Sequence, residues 1–257
     1  MIDLAIISGT GFYDFPGLEE RKEEHIRTKY GKARVSAGLL HGRRIAYIAR
    51  HGENHEILPN MINYRANLVA LKELDTKAII GTTVCGVLDP LIPLTQLVVF
   101  SDLYFPENRL PNGEACTIYD EKGNRLRGHY IFSCPFSESL RSQVIEQAEE
   151  AITEAVYGHV NGPRFNSKAE IAMLKEHATY VSQTAGPEVV LAGELEIPYV
   201  LIGFGVDYAN GVKDEPTPVE LLSQNIEKSK AAFSSVIQKI IKNYKEPAFE
   251  GLVYRFE

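Results

Sequence analysis

Short, almost unbroken apolar runs recur along the chain, each bounded by small or polar residues. Leu4-Ala5-Ile6-Ile7 is the first, and Arg44–Ala49, Ala78–Gly81, Gln96–Phe100 and Tyr199–Phe204 repeat the pattern. Runs of this length without alternation fit strands covered on both faces. Between them the apolar positions change to a 3/4 spacing. Ile62, Ala66, Val69, Ala70 and Leu74 share one helical face, as do Leu140, Val144, Ala148, Ile152 and Ala155. The last stripe is the longest and holds Val219, Leu222, Ile226, Phe233, Ile237, Ile240 and Tyr244. Its start is predicted at Thr217 as N-cap, with Pro218 in the first helical position and Glu220 placed for a capping box. A second capping box, Ser167 with Glu170, precedes Ile171 and Leu174. Strands alternating with helices predict an α/β fold: one domain over residues 1–257, with a central mixed or mostly parallel sheet flanked by helices. The stretch 104–129 follows neither period and is rich in Pro, Asn, Gly and Arg, so it reads as an irregular loop or loose hairpin over a site.

Composition narrows the function classes. The 257 residues carry 27 Lys+Arg against 34 Asp+Glu, a formal net charge of −7, with 44% hydrophobic residues. Mild acidity argues against nucleic acid as a partner, which draws on a basic surface. No apolar run reaches membrane-spanning length, so no membrane span is expected. Met1-Ile2-Asp3-Leu4 places an acid where a secretory leader would be basic. Cys85, Cys116 and Cys134 are scattered without C-x-x-C spacing, which points away from disulfides and zinc and toward the cytoplasm.

Five segments carry candidate chemistry. Ser8-Gly9-Thr10-Gly11 follows the first run, and such a turn lets backbone N–H groups approach an anion while Thr10 adds a hydroxyl. It is not a dinucleotide fingerprint, because Asp14 stands where the third glycine belongs. Arg50-His51-Gly52-Glu53-Asn54-His55 offers a guanidinium fork and an imidazole to a phosphate. A metal pair at His51 and His55 would need a helix, which Gly52 and Asn54 disfavour. Thr82-Thr83-Val84-Cys85-Gly86 is expected to be a strand running into a turn. Phe165, in Gly162-Pro163-Arg164-Phe165-Asn166, could stack on a flat ligand or serve the core. Asp207 follows the run Tyr199–Phe204, where open α/β sheets place their ligands, although an ordinary turn role suits it too. Four of the five follow a buried strand, so they are expected to converge on one sheet edge. Together they would supply an anion cradle, an aromatic wall and a carboxylate.

In order and spacing these segments resemble the trimeric purine nucleoside phosphorylases, in particular the 5′-methylthioadenosine phosphorylase branch. The matching stretches are SGTG (8–11), ARHGENH (49–55), NYRAN (63–67), TTVCG (82–86), GPRF (162–165), GPEVVLA (186–192) and VDY (206–208). The resemblance implies phosphorolysis of a purine nucleoside to free base and a pentose 1-phosphate. By position it implies phosphate binding by Thr10, Arg50, His51, Thr83, Val84 and Thr184. It places His55 near the 5′ end of the ribose, Gln183 beside the sugar, Phe165 on the base, and Asp207 at the purine N7 and 6-position. Asp207 and His51 become the expected catalytic groups. Inorganic phosphate is the co-substrate, no metal or organic cofactor is implied, and the implied assembly is a homotrimer or a dimer of trimers.

Four departures from the family pattern bear on substrate. Ala209 stands where the methylthioadenosine branch usually has a second Asp, Asn166 where it has Ser, Gln183 where it has Met, and Asn161 where it has Glu. Ionised Asp207 favours a 6-amino group, whereas Asn166 can donate to a 6-oxo group or accept from an amine. The residues therefore leave adenine and 6-oxopurine both open, with methylthioadenosine or methylthioinosine as the leading substrates. The apolar region around Val219 suits a methylthio group at the 5′ position. Inosine and guanosine form the alternative, and a non-catalytic purine or phosphate binder the alternative of another class. Arg50→Ala is expected to abolish phosphate dependence with little loss of fold.

Overall fold

The computed structural model describes residues 1–12, 15–123 and 127–256; Asp14 therefore lies outside the described residues. At its centre β1 (Leu4–Ser8) runs parallel to both β4 (Arg43–Ala49) and β5 (Ile79–Val87). Every residue of β1 is buried, because the two faces feed two cores. Ala5 and Ile7 point into one, with α1 (Tyr64–Glu73) and α4 (Ala185–Glu194). Leu4 and Ile6 point into the other, with α2 (Glu138–Gln147) and α5 (Val219–Asn243). That two-sided burial is why the run shows no polar alternation.

The sheet has ten strands and is mixed. Beyond β4 it continues through an antiparallel hairpin, β2 (Glu19–Thr28) and β3 (Gly31–Leu40). On the other side, β10 (Tyr180–Ser182) joins β5 antiparallel, and β9 (Val156–His159) and β7 (Asp102–Tyr104) follow. The long strand β11 (Tyr199–Tyr208) pairs with β5 along its whole length and with β6 (Leu97–Val99). A separate two-stranded piece pairs β8 (Gly128–Ile131) with β12 (Leu252–Arg255). Helix α3 (Lys168–Leu174) opens with the expected capping box of Ser167 and Glu170.

Three elements differ from the sequence expectation. The helical stripe from Leu140 stops at Gln147. Beyond it the chain is extended, with Ile152 half-buried where it bridges Val98 and Ala155 buried. Thr217 does not cap α5; its hydroxyl accepts from the Tyr208 amide at 3.3 Å, and Pro218 holds the N-cap position. Thr82–Gly86 is not a turn, since β5 runs straight through it.

One topological feature positions the site. Because β11 lines one edge of β5 from Ile79 to Val87, β1 and β10 must share the other. Strand β1 occupies it at residues 79–81 and β10 at 86–87, running in opposite directions. Among the described residues no strand pairs with Thr82–Cys85 on that edge. The two strands end head-on over this gap.

Candidate active site

The gap in the sheet floors a cavity of about 320 Å³, in the range of small-molecule sites. The end of β1 contributes Gly9 and Thr10, and the end of β10 contributes Ser182, Gln183 and Thr184. Residues 83–86 of β5 form its floor. The Thr83 hydroxyl lies 3.0 Å from that of Ser182, so two hydroxyls meet across the gap. The Thr82 carbonyl faces the open edge, where Arg50 Nη1 donates to it at 2.7 Å. Alternate residues of a strand present their amides to the same edge, which turns the Val84 N–H into the gap as well.

Asp207 comes from a bulge in β11. Gly205 pairs with Cys85 but Asp207 with Gly86, so Val206 is the extra residue. A bulge breaks the strict alternation of side chains, and both Val206 and Asp207 line the cavity. Burial pushes the Asp207 carboxyl up to about 6, and among the described residues no cation pairs with it. The neighbouring loops are tied together: Asn210 Nδ2 donates to the Asn166 carbonyl at 2.7 Å, and Gln183 Nε2 to the Arg164 carbonyl at 3.0 Å. Phe165 stands at the mouth with 71% of its surface exposed, so its ring is free to lie on a ligand.

His51 is buried on the opposite wall, and its Nδ1 lies 2.8 Å from the Ile57 carbonyl. A carbonyl can only accept, so Nδ1 carries the proton and Nε2 is left with a lone pair. Burial, with the Arg50 charge beside it, lowers the His51 pKa to about 4, and the ring is neutral at pH 7. It stacks on His55 at 4.3 Å between centroids. Burial also lowers the pKa of His55, against the pull of Glu56.

Of the residues singled out from the sequence, Thr10, His51, His55, Thr83, Val84, Phe165, Asn166, Gln183, Thr184, Asp207 and Ala209 all line this one cavity. Two do not. Arg50 lies behind the wall, fully buried, with its fork already engaged: Nε and Nη2 donate to the two Glu188 oxygens at 2.6 and 2.8 Å. Nη1 and Nη2 also donate to the carbonyls of Thr82 and Ile7. Gly9 separates the guanidinium from the cavity, and a Cβ there would sit 2.8 Å from Nη1. Arg50 thus ties the end of β1 to the middle of β5 instead of presenting an open fork. Val219 is 72% exposed at the start of α5; one and two turns further on, Leu222 and Ile226 provide the apolar wall. The stretch 104–129 supplies no described residue to this cavity; it packs on α4, where the Thr117 hydroxyl and the Ile118 amide donate to Glu194. Residues 124–126 lie outside the described residues.

Ser182, Leu58 and Pro59 also line the cavity and were not anticipated. The only sequence signal for Ser182 is its place directly before Gln183 and Thr184, on a strand of three residues. Among the described residues no three His, Cys, Asp or Glu side chains group as a metal site, and no helix is long and apolar enough to cross a membrane.

Comparison with known proteins gives the family of the chain. The family model described as the phosphorylase superfamily matches residues 3–242. A protein of Dictyoglomus turgidum named a probable 6-oxopurine nucleoside phosphorylase is 36% identical, over 93% of this chain and 92% of its own. One of Methanothermobacter thermautotrophicus, named a probable S-methyl-5′-thioinosine phosphorylase, is 35% identical over 94% of this chain and 84% of its own. Among solved structures, the methylthioadenosine phosphorylase of Schistosoma mansoni in complex with adenine superposes with a TM-score of 0.82 at 26% identity, covering 94% of this chain and 91% of that one.

Proposed function

The chain belongs to the phosphorylase superfamily, and from that premise we propose that it cleaves a 5′-methylthio purine nucleoside, methylthioadenosine or methylthioinosine, with inorganic phosphate. The products are the purine base and 5-methylthioribose 1-phosphate. One observation carries the reading: an anion-binding end and an acid stand at opposite ends of the same stretch of β5. Thr83 marks the first, and Gly86, 3.5 Å from Asp207 Oδ1 by its would-be Cβ, marks the second. Three residues of extended strand span about 10 Å, which leaves room for a ribose between a phosphate and a purine.

The chemistry follows from that separation. Phosphate is held by the hydroxyls of Thr10, Thr83 and Thr184 and by the Val84 amide, while the Nε2 lone pair of His51 accepts from the P–OH of monohydrogen phosphate. One of its oxygens forms a bond to C1′ as the C1′–N9 bond breaks, and the bonding pair leaves with the purine. Holding nucleophile and nucleoside together removes much of the entropic barrier. The developing positive charge on the ribose lies against the phosphate dianion. The purine takes a proton at N7 from Asp207, whose pKa near 6 suits it to give that proton and regain it at neutral pH. Leu222, Ile226 and Leu58 line the cavity as an apolar surface that a methylthio group fills better than a hydroxyl. No metal or organic cofactor is required, and EDTA should leave the rate unchanged.

A 6-oxopurine nucleoside such as inosine is the second reading, favoured by Asn166 in the cavity and the absence of an acid at Ala209. Phosphate-dependent release of base from methylthioadenosine, methylthioinosine, adenosine and inosine separates the two. Inosine outpacing both methylthio substrates would overturn the first reading; release without phosphate would overturn both. The enzyme is further read as cytoplasmic and as a homotrimer or dimer of trimers. Phe165, Leu58, Met61 and Val219 support the assembly as exposed apolar residues of one protomer. Its mass in solution tests it.

A further inference from the structure

Thr184 stands at the N-cap of α4 but does not cap it. Threonine is favoured there because its Oγ1 accepts from the second or third amide of the helix. In this protein another group does that work, and a neighbouring hydroxyl holds the amides before it. The amides of Thr184 and Ala185 donate to the Tyr157 hydroxyl at 3.3 and 3.1 Å. The Gly186 amide, the second of the helix, donates to His159 Nδ1 at 3.4 Å. The third residue is Pro187, which has no N–H. The opening amides of the helix are therefore satisfied without the Thr184 side chain.

Both acceptors sit on β9 and are buried. Accepting at Nδ1 fixes His159 as the neutral tautomer with its proton on Nε2. Burial, which lowers its pKa to about 3, keeps it neutral at physiological pH. The fit is close, since a Cβ on Gly186 would lie 2.5 Å from the His159 ring. A capping Oγ1 is held in the rotamer that points back at the helix amides. Relieved of that role, the Thr184 side chain can turn its hydroxyl to the cavity it lines.

We propose that His159 is a positioning residue: it takes over the capping of α4 at the Gly186 amide and so releases the Thr184 hydroxyl to donate to the phosphate, while Tyr157 holds the two amides before it. This rests on the reading of Thr184 as a phosphate ligand. It also explains why a helix N-terminus at the site offers the anion a hydroxyl instead of bare amides.

The test is a double-variant cycle read as phosphate KM against kcat. Thr184→Ala alone should raise the phosphate KM by about tenfold or more, the loss of one hydrogen bond to a charged group. If it does not, Thr184 is no phosphate ligand and the underlying site reading fails. His159→Leu strands the Gly186 amide, for which Thr184 Oγ1 is the nearest acceptor in a normal cap. It should raise the phosphate KM about tenfold with kcat at saturating phosphate within about threefold. His159→Asn, which keeps an acceptor near the place of Nδ1, should recover most of that loss. In a Thr184→Ala background His159→Leu should add less than about twofold. His159→Phe, which keeps a ring of similar volume without its acceptor, carries the same expectation and serves if His159→Leu does not fold. With Thr184→Ala effective, an unchanged KM in these variants, or losses that add in full, overturns the positioning role.

Discussion

Replacing Arg50 by alanine should unfold the protein before it reveals anything about phosphate. The guanidinium makes four hydrogen bonds: two to Glu188 at 2.6 and 2.8 Å, one to the Thr82 carbonyl at 2.7 Å and one to the Ile7 carbonyl at 3.2 Å. In Arg50→Ala, Glu188 keeps only the Tyr199 hydroxyl, at 2.7 Å, while remaining about 1% exposed. Breaking one side of a buried ion pair costs about 3–5 kcal/mol, because the survivor is an uncompensated buried charge. The buried Thr82 carbonyl loses its partner as well, at about 1–3 kcal/mol. Against a total stability of roughly 5–15 kcal/mol, the variant is marginal or unfolded. Urea unfolding at fixed protomer concentration measures this as a fall in midpoint at constant slope. Arg50→Met combined with Glu188→Leu should regain most of the loss, since replacing both members of a buried pair by apolar groups is often neutral. An Arg50→Ala protein as stable as the parent, with only its phosphate KM raised, would refute this account and return Arg50 to the anion cradle.

Further outcomes follow from the cavity. Asp207 binds its proton more tightly folded, at about 6 against 3.8, so its contribution to stability falls as pH rises through that window. Asp207→Asn should therefore stabilise the ligand-free protein above pH 6, by up to about 3 kcal/mol from the rise between 3.8 and about 6, while removing most turnover. Melting curves at pH 4 and pH 8 check it, and an equal effect at both would contradict it. His51 shifts the other way, from 6.5 to about 4. The stability it contributes is fully present above pH 6.5 and lost as pH falls toward 4, and His51→Asn should flatten that part of the acid limb of the stability curve. Ala209→Asp should move base preference toward 6-amino purines by about tenfold, the worth of one matched polar contact, read as the ratio of kcat/KM for methylthioadenosine to methylthioinosine.

Much of this was legible in the sequence because strand ends and loops follow one another in the chain. Leu4–Ile7 and Arg44–Ala49 read as strands since both faces are covered, and residues directly after them had to emerge at one edge of the sheet. The capping box at Ser167 is a local device and needs no tertiary context. Long-range choices were not legible. Strand β2 shows no apolar alternation, having only Ile26 as a large apolar residue; it is a strand because β3 pairs with it. Arg50 and Glu188 are 138 residues apart, so a guanidinium suited to phosphate could not be told from one held by a carboxylate. From Leu222 to Ile240 the α5 stripe faces the core as its spacing predicts, but Val219 is exposed, and which turns meet the ligand depends on how the helix lies across β11; Leu222 and Ile226 line the cavity there.

The pairing of Arg50 with Glu188 has a consequence for how the anion is attracted. An unpaired edge on a central strand leaves backbone groups in need of partners. Here Arg50 answers the Thr82 carbonyl, while the Val84 amide is turned toward the ligand. Yet the guanidinium brings a carboxylate with it, so the pair adds no net charge to the wall. Among the described residues the cavity is lined by no Lys or Arg, and both its histidines have lowered pKa values. Lys230, beside Gly11, is paired with Glu227. On the proposed reading, phosphate is held by oriented hydroxyls, an amide and the end of the α4 dipole, all short-range and fixed. Such a site should respond little to ionic strength, because screening acts on charges separated by about a Debye length and not on dipoles in contact. Raising a non-competing salt from about 0.05 to 0.5 M, where that length falls from roughly 14 to 4 Å, should change the phosphate KM by less than about threefold. A tenfold or greater rise would mean that a free cation converges on the anion, either Arg50 released from Glu188 or a basic residue of a second copy.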